Sequence, residues 1–122
     1  MHKGASYEVG FGASEKMARY ILALHLKKNT ILTDDAQTFW VMLASGRPDL
    51  FVDRIDQGDA HWLDLLESPR GRVRYFLVTR QSDDRIGLRY SDITQGGVPW
   101  AHLVKAYGHF YLMRVDKHTT TV

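Results

Sequence analysis

Residues 30–35, of sequence Thr-Ile-Leu-Thr-Asp-Asp, place the strongest constraint on how this chain folds. β-Branched and aliphatic residues, which favour strands, lead directly into two acids, and the apolar spacing that follows is helical. A strand that ends at the start of a helix is the junction where open α/β sheets usually bind their ligands. We therefore predict that this stretch is the first strand of a sheet, with Asp34 and Asp35 at its carboxyl end.

The rest of the chain alternates between helical and strand patterns. Helices are predicted from Ser14 to Lys28 and after Asp34, Gly58 and Ser82, and strands are predicted at residues 50–52, 73–78, 103–106 and 110–115. Such alternation indicates parallel strands joined by right-handed crossovers. The predicted fold class is α/β, a small three-layer sandwich of Rossmann-like type, whose mostly parallel sheet ends in a C-terminal antiparallel hairpin.

Two elements carry specific packing predictions. Residues 73–78 have the most continuous apolar pattern, which predicts a central strand covered on both faces and flanked by the strands at 30–33 and 50–52. The second helix is predicted to pack inward through three large apolar residues. These residues are Phe39, Trp40 and Leu43.

Length and composition bound the class of protein. The chain has 122 residues, enough for a domain that buries about two-thirds of the surface exposed by its unfolded form. We predict one domain at residues 14–116, with flexible tails at 1–13 and 117–122. No apolar run approaches the roughly 18 residues of a membrane span, and the absence of cysteine excludes thiol catalysis. The net charge of +2 does not indicate a nucleic-acid partner. We predict no such partner, and a monomer.

Two acidic pairs are the leading candidates for chemistry, Asp34 with Asp35 and Asp83 with Asp84. Carboxylates at the carboxyl end of parallel strands can hold a metal-bound phosphate or act as acid and base. The competing interpretation, which we favour, is that they cap helices and compensate the helix dipole. Because asparagine can accept the same capping bonds, this interpretation predicts that Asp34→Asn costs little stability.

The sequence signatures of common catalytic sites do not occur. The six histidines show no His-x-His or His-Glu-x-x-His spacing, and there is no Gly-x-Ser-x-Gly elbow. The glycines at positions 10 and 12 are not followed by the lysine of a phosphate-binding loop. We therefore predict no catalytic residue, no metal and no cofactor.

A basic cluster brackets the predicted central strand. Its members are Arg70, Arg72, Arg74 and Arg80. These arginines suit a phosphate group or an anionic membrane surface, and the alternative is that flanking charges keep an apolar strand soluble. Trp100 follows Gly-Gly-Val-Pro and is predicted to contact a sugar or a lipid from a loop. Arg72, Arg74 and Trp100 thus join the two acidic pairs as binding candidates.

Four stretches carry a resemblance to a known family. They are residues 31–35, 45–49, 73–78 and 110–115. Residues 14–116 resemble the extracytoplasmic C-terminal α/β domain of bacterial multi-spanning glycosyltransferases of the dolichyl-phosphate-mannose-transferase-like type. The resemblance implies the extracytoplasmic face of a bacterial membrane, the membrane-embedded remainder of the same protein as a partner, and a saccharide or lipid-phosphate acceptor. It carries over no catalytic residue, because the sugar-transfer carboxylates of that family lie in membrane-associated loops outside this chain.

The expected function is therefore that of an accessory domain, which positions or contacts an acceptor and does not itself catalyse. Two alternatives stay open. One is an independent small α/β enzyme, cytoplasmic in that case, that uses Asp34 and Asp35 on a phosphorylated substrate. The other is a protein-interaction domain whose hairpin edge pairs with a partner strand.

Overall fold

The computed structural model describes residues 12–53, 59–80 and 84–117 and has a mixed α/β fold. The helices are α1 (Ala13–Ala23), α2 (Asp35–Ser45), α3 (Asp59–Glu67) and α4 (Arg85–Arg89). The strands are β1 (Ile31–Thr33), β2 (Phe51–Val52), β3 (Tyr75–Thr79), β4 (Ala101–Tyr107) and β5 (Phe110–Val115). The 3-10 turn Pro48–Leu50 leads into β2, and the turn Ile93–Gln95 follows α4.

The sheet has the strand order β2-β1-β3-β5-β4, and β3 is its middle strand, as predicted. β1 is parallel to both of its neighbours, so that Ile31 is aligned with Phe51 in β2 and with Tyr75 in β3. β5 is antiparallel to β3 and to β4, which confirms the C-terminal hairpin. The prediction that β1 and β2 flank β3 was wrong for β2. The second neighbour of β3 is β5, because β2 pairs with the other edge of β1.

Helix α1 differs from its prediction at both ends. It begins one residue before Ser14, which is buried inside the first turn and does not cap the helix. It ends at Ala23, five residues before Lys28. The following segment runs beside the chain that enters β2, where the Thr30 amide donates to the Leu50 carbonyl oxygen at 3.0 Å. The helix cannot continue to Lys28, because His25 adopts a left-handed conformation with a φ of 53°.

Two hydrophobic clusters hold the elements together. Leu77 and Leu112 belong to a cluster with buried residues of α1 and α2. Phe76 and Met113, their neighbours along the same strands, belong to a cluster with buried residues of α3 and α4. Because successive side chains of a strand point to opposite faces of the sheet, each cluster uses one face of β3 and β5.

Helix α2 presents the three predicted core residues to solvent. Phe39, Trp40 and Leu43 are 51%, 54% and 58% exposed, whereas Val41 is completely buried. The prediction that they pack inward was therefore wrong. Thr38 has non-helical backbone angles (φ −122°, ψ 15°), so the residues after it are rotated relative to the first turn of the helix. Since apolar side chains occur on more than one side of α2, periodicity alone did not identify its buried face.

Part of the chain lies outside the described residues. The predicted tails, 1–13 and 117–122, fall there except for residues 12, 13 and 117, and so do Ser82 and Asp83. Among the helices of the described residues, none has the length and apolar character needed to cross a membrane.

Replacing Phe76 by aspartate should unfold the domain. Phe76 is completely buried in the middle strand. An unpaired buried carboxylate costs several kcal/mol, against a total stability of about 5–15 kcal/mol for a domain. Loss of the cooperative thermal transition, followed by circular dichroism, is the measurement. Phe76→Leu keeps an apolar side chain and should stay folded, and a cooperative transition in Phe76→Asp would show that this position is not in the core.

Candidate functional site

Buried acids lie at the carboxyl ends of all three parallel strands. Asp34 follows β1, Asp53 follows β2, and Asp84 is the N-cap of the helix after β3. Their exposed fractions are 1%, 3% and 0%. Sequence reasoning singled out Asp34 and Asp84 but missed Asp53. A signal was present, since Asp53 follows the apolar residues 50–52 in the same way that Asp34 follows residues 31–33.

The Asp34 carboxylate joins the starts of two helices. Its Oδ1 atom accepts a hydrogen bond from the Ala36 amide at 3.3 Å, which confirms the predicted cap of α2. Its Oδ2 atom accepts a hydrogen bond from the Arg85 amide, at the start of α4, at 3.0 Å. Both carboxylate oxygens are therefore engaged. The second bond comes from a segment that is distant in the chain, and capping rules did not predict it.

The Asp84 carboxylate accepts four hydrogen bonds. Its Oδ1 atom accepts from the amides of Ile86 and Gly87 at 2.9 and 3.2 Å, and so caps α4. Its Oδ2 atom accepts from the amide and the hydroxyl of Thr79 at 3.0 and 3.1 Å. Burial raises the pKa of Asp84, these bonds oppose the increase, and the negative charge of Asp34 adds to it. The structure thus brings Asp34 and Asp84 together at one edge of the sheet.

Hydroxyl groups and an indole complete the buried polar layer at this edge. The Thr33 hydroxyl donates to the Leu77 carbonyl oxygen at 3.0 Å. The Thr38 hydroxyl contacts the Thr33 hydroxyl and donates to the Asp34 carbonyl oxygen at 3.1 Å. Trp62 Nε1 donates to the Thr33 carbonyl oxygen at 2.9 Å. The Thr33, Thr38 and Trp62 side chains are buried, and their bonds to backbone carbonyl oxygens link β1 to β3, α2 and α3.

The carboxyl edge has the geometry of a structural junction. Every carboxylate oxygen of Asp34 and Asp84 accepts at least one bond from this protein. Within residues 12–53, 59–80 and 84–117, no group of three His, Asp or Glu side chains is placed to hold a metal ion. Asp35 is the first residue of α2, and Asp83 lies outside the described residues. The contacts that are described fit helix capping.

A cleft of about 280 Å³ lies beside the carboxyl edge. It is lined by the end of β3, by Arg80 and by residues of the segment 87–95, and neither Asp34 nor Asp84 belongs to its lining. Arg80 donates to the Tyr111 hydroxyl at 3.3 Å. Arg80 follows β3, whereas the other three predicted basic residues precede it. Arg80 thus lies at the opposite end of the strand, and these four arginines do not form one cluster.

A larger cleft, of about 520 Å³, lies at the other end of β3, and we call it the basic cleft. Residues 71–74 before β3 and residues 114–117 at the end of β5 line it. The antiparallel pairing that aligns Tyr75 with Arg114 brings these two segments together. Its cationic side chains are Arg72, Arg74, Arg114 and Lys117. Its lining contains one carboxylate, that of Asp116.

Sequence reasoning identified two of the four cationic side chains that line the basic cleft. Arg72 and Arg74 were predicted from their proximity in the chain, and the structure places both in the basic cleft. Arg114 and Lys117 were missed, because only the pairing of β5 with β3 brings them there. A local signal existed for Arg114, which is the exposed residue in an otherwise apolar end of β5.

The cations of the basic cleft differ in how they are paired. Arg72 Nη2 lies 2.6 Å from the Asp64 carboxylate, and this hydrogen bond lowers the pKa of Asp64. Arg74 and Lys117 are exposed, and neither makes an ion pair within the part of the chain that the structure describes. These two side chains are free to meet an anion from solution.

The carboxylate of the basic cleft is engaged by the protein. His102 Nε2 lies 2.9 Å from Asp116 Oδ2, and Arg114 Nη2 lies 4.0 Å from Asp116 Oδ1. The hydrogen bond with His102 is the main cause that lowers the pKa of Asp116. Asp116 is thus held by two partners, and its negative charge offsets one of the positive charges of the cleft.

Trp100 packs into an aromatic group and is not among the residues that line the basic cleft. Its ring is partly buried and meets those of Phe76 and Tyr90 edge to face, with centroid distances of 6.0 and 5.2 Å. The guanidinium of Arg70 lies 5.8 Å from its ring centroid. Its carbonyl oxygen accepts the Asp116 amide at 2.8 Å. Trp100 therefore has a packing role, and its contact with a sugar or lipid stays a prediction.

Comparison with protein-family models, with curated proteins and with solved structures found no match to this chain.

Substitution of Asp34 should be destabilising even when the new residue is asparagine. Both oxygens accept backbone amides, so asparagine can replace one acceptor while its NH₂ group meets the other amide. We expect Asp34→Asn to cost about 1–3 kcal/mol and Asp34→Ala at least as much. This revises the expectation, drawn from capping alone, that asparagine is tolerated. Urea denaturation of both variants measures the cost.

The exposed Asp92 offers a matched control, since Asp92→Asn removes the same charge and should change stability by less than about 0.5 kcal/mol. A melting temperature raised in both Asp34 variants would contradict the capping role. It would indicate instead a carboxylate kept for a ligand.

Asp84 should titrate at higher pH than Asp64. Burial raises the pKa of Asp84 above the ordinary value of 3.8, whereas the Arg72 hydrogen bond lowers that of Asp64. The folded chain therefore binds the Asp84 proton more tightly than the unfolded chain does. The stability that this group contributes is present below pH 3.8 and is lost as pH rises through its folded-state pKa. NMR titration of the side-chain carboxyl carbons tests the order, and the reverse order would refute this account.

Proposed function

We propose that this chain is a non-catalytic accessory domain of a membrane glycosyltransferase, and that it positions or contacts the acceptor. The observation that carries the non-catalytic part is the engagement of Asp34 and Asp84. A general acid, a general base or a metal ligand needs an oxygen that substrate or metal can reach. Both side chains are buried, and their oxygens accept backbone amides.

The setting rests on the family resemblance of residues 14–116. It places the domain on the extracytoplasmic face of a bacterial membrane, beside the membrane-embedded remainder of the same protein. The acceptor is a saccharide or a lipid phosphate. We also propose that the domain is a three-layer sandwich, which the two clusters on the two faces of β3 support. The complete reading frame should then encode repeated apolar spans of about 20 residues.

The two alternatives have less support. A phosphate enzyme built on Asp34 would have to break the two amide bonds that hold this carboxylate. Partner-strand pairing would use β4, the edge strand of the hairpin. The register of β4 shifts between Leu103 and Lys105, and such irregularities and edge lysines oppose strand addition.

The purified chain should show no turnover of phosphate esters or activated sugars. The physical reason is that the buried acids are already bound by the protein. The measurement is release of phosphate or sugar from a panel of such compounds, at a temperature where both the native chain and Asp34→Asn are folded. A rate above background that Asp34→Asn abolishes and Asp92→Asn keeps would contradict the proposal and favour the enzyme alternative.

A further inference from the structure

We propose that the basic cleft binds a phosphate ester or a diphosphate group. This inference deepens the proposed function. It rests on that function only where it treats the ligand as an acceptor. The charge, the exposure and the shape of the cleft each favour a phosphate.

Positive charge is concentrated at this end of β3. The whole chain has a formal net charge of +2, yet the cleft lining alone has four cationic side chains and one carboxylate. Concave surfaces lined by one sign of charge raise the local concentration of oppositely charged ligands. The basic cleft is therefore the region of the described residues where we expect an anion to bind.

The cations are exposed enough to exchange water for a ligand. Arg74 and Lys117 make no ion pair with any described residue. The Arg114 side chain is 55% exposed, and its contact with Asp116 is long, at 4.0 Å. Arg72 is held by Asp64 at 2.6 Å, which fixes its guanidinium at the rim. Three cations less the one carboxylate of Asp116 leave two positive charges, which suits an anion with more than one negative charge.

The shape and chemistry fit a phosphate better than a single carboxylate. An arginine guanidinium donates paired hydrogen bonds that match phosphate oxygens, and lysine adds a point charge. A volume of about 520 Å³ is that of a small-molecule site and leaves room for more than the anion alone. Val73 and Val115 line the cleft but are only 3% and 5% exposed, so the surface that it offers a ligand is mainly polar and charged. An anionic group that carries a small substituent matches this charge and volume.

Amide NMR titration of the 122-residue chain with inorganic phosphate and with pyrophosphate tests the proposal. We expect saturable shifts at residues 70–74 and 114–117, and none from chloride at equal ionic strength. The double variant Arg74→Gln, Arg114→Gln should bind at least about tenfold more weakly, because each substitution removes a charge-assisted hydrogen bond. Lys117→Gln, near the end of the described chain, provides a second variant if the double variant fails to fold.

Arg19→Gln is the matched control for Lys117→Gln, since each substitution removes one positive charge and the Arg19 side chain is 76% exposed on α1. It should leave the affinity unchanged. Shifts without saturation, or an equal loss of affinity in Arg19→Gln, would overturn the proposal, because binding would then reflect net charge and not the cleft.

Vesicles distinguish the source of the phosphate. Phosphatidylcholine vesicles with phosphatidic acid should bind the native chain in sedimentation, and pure phosphatidylcholine vesicles should not, if a lipid carries the group. Pyrophosphate binding without vesicle binding assigns the group to a soluble molecule. Binding of either pyrophosphate or the vesicles supports the phosphate site in the basic cleft. If neither binds, the phosphate site is overturned and the non-catalytic proposal is left intact. Turnover in the esterase and sugar assays would refute that proposal without affecting the binding result.

Discussion

Every residue of β3 is buried, and most of the domain serves to cover that strand. A strand buried along its whole length needs hydrogen-bonded neighbours at both edges and apolar cover on both faces. β1 and β5 supply the edges. The clusters that contain Leu77 and Phe76 supply the faces, through α1 and α2 in one case and through α3 and α4 in the other. The need to cover both faces of β3 determines where the helices lie. The amides of their first turns then need hydrogen-bond acceptors.

The two ends of β3 consequently differ in chemistry. At the carboxyl end, strands lead into helices, and Asp34 and Asp84 are buried because their carboxylates bind the amides of those helix starts. At the amino end, Arg74 and Lys117 remain in solvent around a cleft. A ligand at the carboxyl end would have to replace buried hydrogen bonds, which is costly, whereas a ligand at the amino end replaces water. This contrast favours the amino end as the binding surface.

Most of the incomplete sequence predictions depend on contacts or backbone geometry that a local sequence pattern does not show. The cap of α2 by Asp34 follows from local chemistry and was predicted, but the bond from the Arg85 amide was not, and it changes what asparagine can do at this position. The outward position of Trp40 follows from the backbone irregularity at Thr38, which no apolar period reveals. Asp53 lay within reach of sequence reasoning, because it repeats the strand-then-acid pattern of Asp34.

The sequence by itself determined the features that depend on near neighbours in the chain. These are the mixed α/β class, the middle strand β3, the C-terminal hairpin and the helix starts at the two acidic pairs, which follow from strand propensity, turn residues and capping. Only the tertiary structure decided that Arg114 and Lys117 join Arg74 in the basic cleft, and that Asp34 holds α4. The physical reason is that strand pairing and burial join segments far apart in the chain, and a local pattern does not encode which segment becomes the neighbour.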